Sequence, residues 1–546
     1  MAKNITFDRD VRNSLLAGVD KFARAVKSTL GPRGRYAVVD RGFGAPKVTK
    51  DGASVADEVE FTDAVENVAA RLMREAAKRT ADEAGDGSTT STVLAEAIFA
   101  RGTRNIVAGA NPLMLQRGIM DASEKVIEEL EGLAVKVKDN QIESVATTAG
   151  NNNPEVGKTL AKAIREVGRD GVITIEEGKS IETTVDIVEG MQFDRGYLSQ
   201  YFVTDEANAR TVLREPLILI LEEKVSNLSQ ILPVLEKALE RKKPLLIIAE
   251  DIEGEALSTL VVNQQRGVLK CAAVKAPGYG DRRKAMLEDI AVVTGGAAIT
   301  KDLGLEPGTI SLSHLGTAKR VEITNDSTIV VDGGGKKKDI TERARQVRVL
   351  LDQPNESKYD QEKLRERLAR LTGGIAEIKV GGATETEVKE RKKLYENALS
   401  TTQAALEEGI LPGGGVAFLK CAESLDGLRV RDADTKIGVE ILRDALEAPF
   451  RQLAKNAGEE PSRLLRKWRN SKKKNYGFDF QKKAESQDLV ADGIIDSVRV
   501  ARLALKNAAS VASMLFSTSC VVTEIPTEEE DHHHDEAGVD YASAGF

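Results

Sequence analysis

The apolar periodicity of this chain changes twice, and that limits the folds open to it. Residues 10–30 place Val11, Leu15, Val19, Phe22, Val26 and Leu30 three or four positions apart. That spacing is one face of an amphipathic helix, stopped by the Gly31-Pro32 pair. Similar patterns cover 63–84 and 88–109, and Pro112 stands near the start of another helix. After about residue 188 the signal becomes short continuous apolar runs separated by helical ones: PLILIL at 216–221, PLLIIAED at 244–251, then VLKCAAVKA. Strand and helix in alternation argue for a parallel α/β sheet with right-handed crossovers. Past about residue 340 long charged helices return and reach about 518, broken by TGGIAEIKVGG and by LPGGG at 411–415. The layout is helical, α/β, helical: an α/β domain inserted into a helical one, whose chain ends then lie close together.

A chain of 546 residues is too long for one core and suggests about three domains. Aromatics are only 4%, so Ala, Val, Leu and Ile must fill those cores. The net charge of -8 gives no mark of a nucleic-acid binder. No apolar run is long enough to span a bilayer, and MAKNITFDRD lacks the apolar stretch of a signal peptide. Cys271, Cys421 and Cys520 have no CxxC spacing and suit a reducing compartment. A cytoplasmic protein without nucleic-acid or membrane partners is the expectation.

Residues 85–94, GDGSTTSTVL, set one carboxylate among glycines and hydroxyls at a helix start. A helix N-terminus offers unpaired N–H groups and partial positive charge, which suits phosphate. A carboxylate there either caps the helix or holds a cation between itself and the phosphate. The ten residues alone leave both readings open.

Several stretches together resemble the group I chaperonins, the bacterial GroEL type. They are TLGPRGR at 29–35, TKDGASVA at 49–56, AGDGSTTSTVLA at 84–95, EGMQFDRGYLSQYF at 189–202, PLLIIAEDIEGEALSTLVVN at 244–263, KAPGYGDRRKAMLEDIA at 275–291, LPGGGVA at 411–417 and NAASVA at 507–512. The match runs from residue 2 to about 525. It implies a multidomain α and α/β protein. A mostly helical equatorial domain that binds ATP would take 1–132 and 408–525. A small intermediate hinge domain would take 133–188 and 375–407. An inserted α/β apical domain would take 189–374. The acidic tail 526–546, with His532, His533 and His534, shows no periodicity and is read as disordered.

The resemblance also implies a nucleotide site. Thr29, Leu30, Gly31 and Pro32 would wrap phosphates through the backbone. Asp86 would hold magnesium, which answers the question its position raises. Gly87, Ser88, Thr89 and Thr90 would meet phosphate oxygens. Lys50 would stand near phosphate and a potassium ion, and Asp51 would order water and metal near the γ-phosphate. Residue by residue, Asp51-Gly52 is also a hairpin-turn signal. Gly414 would let the backbone approach the nucleotide, and Asp496 would bind the ribose hydroxyls.

Two positions depart from the family pattern. The family's water-orienting Asp is Asn397 here. An amide hydrogen-bonds water but cannot take its proton, and losing a general base costs on the order of a hundredfold in rate. ATP is therefore expected to bind and to hydrolyse slowly; a holding chaperonin that barely turns over is the alternative function. The second departure is RLLRKWRNSKKKNYGFDFQKKAESQ at 463–487, where the family has a Gly-rich hairpin ending in Asn-Ala-Ala that touches adenine. Here Asp479-Phe480-Gln481 stands instead, after a basic run, Lys472-Lys473-Lys474, of the kind that is usually a solvated loop.

In the family, the positions of Tyr197, Ser199, Tyr201, Phe202, Leu232, Leu235, Leu257, Val261 and Val262 form an exposed apolar groove. Such surface is rare and marks binding; periodicity alone would equally bury these leucines against the sheet. Gly190, Gly373 and Gly374 sit where hinges would fall. Arg195 with Glu385, and Arg451 with Glu460, match family contacts between subunits or rings. The implied partners are unfolded polypeptides and a GroES-like lid co-chaperonin. The implied assembly is a homo-oligomer of two stacked seven-membered rings. His314 stands alone and suggests nothing. The chain also lacks a P-loop and a kinase signature.

Overall fold

Two helices of this chain meet glycine to glycine. A Cβ on Gly118 would lie 2.0 Å from the carbonyl oxygen of Thr435, and one on Gly438 would lie 2.4 Å from that of Leu115. Only the missing side chains let helices Pro112–Gly132 and Ala433–Ala445 touch so closely. This is how a chain poor in aromatics still reaches close packing. The computed structural model describes residues 3–40, 46–169, 171–178, 180–188, 190–300, 310–351 and 358–524. The histidines of the tail lie outside the described residues. The chain divides into two units, residues 1–152 with 400–546, and residues 153–399.

The first unit is helical. Helix Asp8–Lys27 buries Val11, Leu15, Val19, Phe22 and Val26, the face read from the sequence. Helix Val498–Ser517 packs on Ala64–Ala84, Ser88–Val107 and Pro112–Gly132. Its one buried amide, on Asn507, donates to Thr80 Oγ1 at 2.9 Å. Strands Lys3–Phe7 and Cys520–Glu524 pair antiparallel, which brings the described chain ends together as the insertion requires.

The second unit, taken by itself, carries two sheets. Strand Ile375–Val380 lies between Val172–Glu177 (parallel) and Thr184–Val188 (antiparallel). The larger sheet is mixed, which corrects the wholly parallel expectation. Leu217–Leu221, Leu245–Ala249, Cys271–Lys275 and Ala298–Ile299 run parallel, and all are buried except Lys275. Antiparallel strands Gly190–Phe193, Thr211–Arg214, Gly316–Ile323 and Thr328–Gly333 extend it. The apolar runs of the parallel strands announce a doubly covered sheet. The added strands are more polar and carry no comparable signal.

The division between the two units falls at 152/153 and 399/400. Of the proposed hinge glycines, Gly374 has a φ of +62° between helix Lys358–Thr372 and strand Ile375–Val380. Gly190 sits inside a strand, where a Cβ would lie 2.3 Å from the Val330 carbonyl oxygen.

A candidate nucleotide site at a glycine-capped helix

Helix Ser88–Val107 begins without a side-chain cap. Its N-cap is Gly87, at a φ of +93° that a side chain rarely tolerates. Asp86 is therefore not the cap. Its Oδ1 accepts only the adjacent N–H of Gly87, at 2.6 Å. The first-turn N–H groups of Ser88, Thr89 and Thr90 are left aimed at a cavity of about 510 Å³ that all three residues line.

The same cavity is lined by Thr29, Leu30, Gly31, Pro32, Lys50, Asp51, Gly414 and Asp496. Every position expected in the nucleotide site thus lines one cavity within the first unit. Asn397 does not: it is half-buried on helix Glu385–Glu408, in the second unit.

Local rules explain the walls. Helix Asp8–Lys27 unwinds into a turn in which Thr29 Oγ1 donates to the Val26 carbonyl at 2.8 Å. Asn456 Nδ2 lies 3.0 Å from the carbonyl oxygens of both Lys27 and Leu30 and fixes that turn from outside. Lys50 Nζ donates to the Pro32 carbonyl at 3.2 Å, joining the first two loops. Asp51 caps helix Gly52–Asp57, accepting from Ser54 N at 3.1 Å and from Ser54 Oγ at 2.8 Å. Asp51-Gly52 is thus a helix start and not the turn of a hairpin. The hairpin Ala37–Val39 with Lys47–Thr49 closes earlier in the chain.

The electrostatics call for a cation. Burial pushes the Asp86 carboxyl up to about 6; the Gly87 N–H partly offsets this, and the Asp51 charge adds to it. Burial pushes Asp496 up to about 7, with Asp86 contributing. Asp86 is solvent-accessible where it lines the cavity, yet enough protein surrounds it to leave its charge poorly solvated. Burial also lowers Lys50 from its ordinary value. Among the described residues no group of three or more His, Cys, Asp or Glu is arranged to hold a metal. Asp86 and Asp51 bring two carboxylates to the cavity, a donor set that fits an ion completing its shell with phosphate oxygens and water, as Mg²⁺ does.

Sequence reasoning missed part of the lining. Asn151 and Asn152 take consecutive left-handed conformations, φ 56° and 60°, just before helix Pro154–Val167, and their side chains line the cavity. The NNNP run was the available signal. Asp479, Phe480, Gln481 and Lys482 also line it. The altered 463–487 segment keeps a hairpin, Gly477–Asp479 with Ala484–Ser486. Phe480 fills the space beside Gly414, edge-on to Phe450 with ring centroids 5.4 Å apart. Lys472, Lys473 and Lys474 are exposed.

The second unit disposes the expected groove residues unequally. Tyr201 is 65% exposed, Leu232 42% and Val262 42%. Tyr197, Leu257 and Val261 are partly buried against the core, and Ser199 is half-buried. Phe202 and Leu235 are core residues, which corrects their placement in an exposed groove: Phe202 is wholly buried and packs with strand residues in one cluster. Within the chain, Arg195 contacts Tyr279 and Glu385 pairs with Lys389. Arg451 pairs with Glu447, and Glu460 caps helix Pro461–Asn470.

Known proteins agree with this architecture. Residues 22–526 match the model of the TCP-1/cpn60 chaperonin family. Over 541 residues the chain is 53% identical to chaperonin GroEL 1 of Rhodopirellula baltica, covering 98% of this chain and 94% of that protein. The crystal structure of chaperonin gp146 from a Pseudomonas aeruginosa bacteriophage, EL, determined with ATP-BeFx, aligns with a TM-score of 0.68 at 23% identity, over 96% of this chain and 99% of that one.

Proposed function

The chain belongs to the TCP-1/cpn60 chaperonin family, as a group I, GroEL-like member, and from that premise we propose how its parts share the work. It is an ATP-dependent chaperonin and an ATPase. The observation that carries the assignment of parts is the glycine-capped N-terminus of Ser88–Val107, open beside Asp86 in one cavity.

The three loops and the uncapped N–H groups bind the triphosphate. Gly414 gives room to the nucleotide, and Asp496 meets the ribose. Asp86 would hold a magnesium ion, which would supply neutralisation of phosphate charge, and Lys50 would stand beside phosphate and a potassium ion. Asp51 orients the attacking water, a task in which Asn397 shares. An amide in this role makes turnover slow without preventing binding.

The domains divide as equatorial 1–132 and 408–525, intermediate 133–188 and 375–407, and apical 189–374. The apical domain grips unfolded chains through Tyr201, Leu232 and Val262, because burial of apolar area needs no particular sequence. A GroES-like lid competes for that surface and encloses the client. Exposed Ile5, Phe7 and Val522 on one two-stranded sheet, and Val38 and Val48 on another, support contacts between copies in two stacked seven-membered rings. The work is cytoplasmic.

The test is refolding of a chemically denatured client by the assembled protein, with and without ATP and a GroES-type lid. ATP-dependent recovery of client activity is the expected result. Client capture that ATP never reverses would overturn the folding-chamber reading in favour of a holding protein.

A further inference from the structure

The second unit holds a cavity of about 570 Å³ that the nucleotide cycle does not use. Its walls are cationic: Arg210, Arg214, Lys242, Lys243, Lys270 and Lys392 against the acids Glu176 and Asp205. Both acids are already neutralised. Glu176 Oε1 lies 3.1 Å from Arg320 Nη1, and Asp205 Oδ2 lies 2.8 Å from Arg210 Nε. Glu322 and Glu396 also reach Arg210, each at 3.3 Å, so that guanidinium is spent. Lys242 and Lys270 are exposed and make no ion pair among the described residues. The surplus positive charge is thus carried by lysines that face the opening.

The position of this opening gives it a use. It lies at the C-terminal ends of helices Leu232–Arg241 and Gly254–Gln265, the two that carry the proposed client groove. Leu232 and Leu239 are seven residues apart, hence on one face, and are 42% and 40% exposed. Past the second helix, Val268 is 56% exposed and lines the cavity. An apolar stripe therefore runs from the groove into a cationic pocket. Seven helical residues rise about 10 Å, the reach of roughly three residues of extended chain. Lys242 also ends its helix in a left-handed conformation, φ +51°, where glycine is the usual choice.

Resting on the client-binding role given to these helices, we propose that this pocket selects client segments in which an acidic residue follows an apolar one by about three positions. The apolar side chain sits on the Leu232 end of the stripe, and the carboxylate reaches Lys242 and Lys270. Charge adds selectivity to a surface whose apolar part has none.

The experiment uses the full-length assembled protein and three fluorescein-labelled twelve-residue peptides with the same leucines. The intervening positions carry Glu, Gln or Lys. Anisotropy titrations run at low and at high salt, with wild type and with the Lys242→Glu/Lys270→Glu double variant. The Glu peptide is expected to bind wild type about tenfold tighter than the Gln peptide at low salt. That preference is expected to vanish in high salt and in the double variant, while the Gln peptide binds both proteins equally. Equal binding of Glu and Gln peptides to wild type, or a Glu preference that survives in the double variant, overturns the charge selection and leaves the apolar groove standing. Failure of all three peptides to bind overturns the groove reading itself, and the pocket's role with it.

Discussion

A Cβ atom on Gly52 would stand 1.9 Å from Thr89 Oγ1 and 3.3 Å from Thr29 Oγ1. Three loops far apart in sequence therefore meet at a point where only a hydrogen fits. Gly52→Ala must push Thr89 and the start of helix Ser88–Val107 outward, a typical overpacking cost of about 1–3 kcal/mol. ATP affinity measured by calorimetry is expected to fall at least tenfold, with a lower melting temperature in the absence of nucleotide. Unchanged affinity would mean the two loops do not act together on the ligand.

Asp86 has a different balance. Its folded carboxyl titrates near 6, above the ordinary 3.8, because burial disfavours its charge. A raised acid costs stability wherever it is ionised in the folded state, that is, at neutral pH, and the cost disappears as pH falls below 3.8. Asp86→Asn is therefore expected to melt no lower than wild type at pH 7.5 without nucleotide. Its magnesium-ATP affinity is expected to drop at least a hundredfold, because the cation loses its protein ligand. Thermal melts with and without magnesium-ATP check both arms. A variant still stabilised by magnesium-ATP would remove Asp86 from the metal site.

What the sequence made legible follows from where the physics is local. The buried face of Asp8–Lys27 and the continuous runs of Leu217–Leu221 and Leu245–Ala249 are periodicities, read directly. Asp86 was ambiguous because capping and metal binding use the same residue type, and only the dihedral of Gly87 separates them. Phe202 was misplaced because a family-derived groove position does not fix how deep a side chain sits. Asn151 and Asn152 escaped notice because their left-handed backbone, set by packing, carries no periodic signal. The antiparallel strands escaped because their charged residues are buried in pairs. One is Arg320, which pairs with Glu322 on its own strand and with Glu176 and Glu377 on others.

That buried pair gives a test of stability. Arg320 Nη1 lies 2.9 Å from Glu377 Oε1, with both side chains at most 5% exposed, and joins the two sheets of the second unit. Burial alone would raise the Glu377 carboxyl, but Arg320, Lys319 and Lys379 together hold it below its ordinary 4.5. A lowered acid contributes stability that is present above 4.5 and lost as pH falls through its folded value. Glu377→Ala removes one of three carboxylates around Arg320, leaving Glu176 and Glu322, and is expected to cost less than the roughly 3–5 kcal/mol of a wholly unpaired buried charge at pH 7. Chemical denaturation of wild type and variant from pH 7 to pH 3 should show the gap narrowing below 4.5. A gap independent of pH would assign the loss to packing instead.

Asn397 sets the last expectation. It stands half-buried on helix Glu385–Glu408, and the proposed function gives it a share in orienting the attacking water. Neither the nucleotide cavity nor its lining depends on it, so replacing it should leave ATP affinity as it is. Asn397→Asp adds a group that can accept a proton, and general-base catalysis is worth on the order of a hundredfold. Steady-state ATPase of the assembled protein is expected to rise by tenfold or more, with the nucleotide dissociation constant unchanged. Refolding should then cycle faster while the client spends less time enclosed. If wild type and variant turn over equally fast, Asp51 alone orients the water, and the amide at 397 is neutral to the timing of the machine.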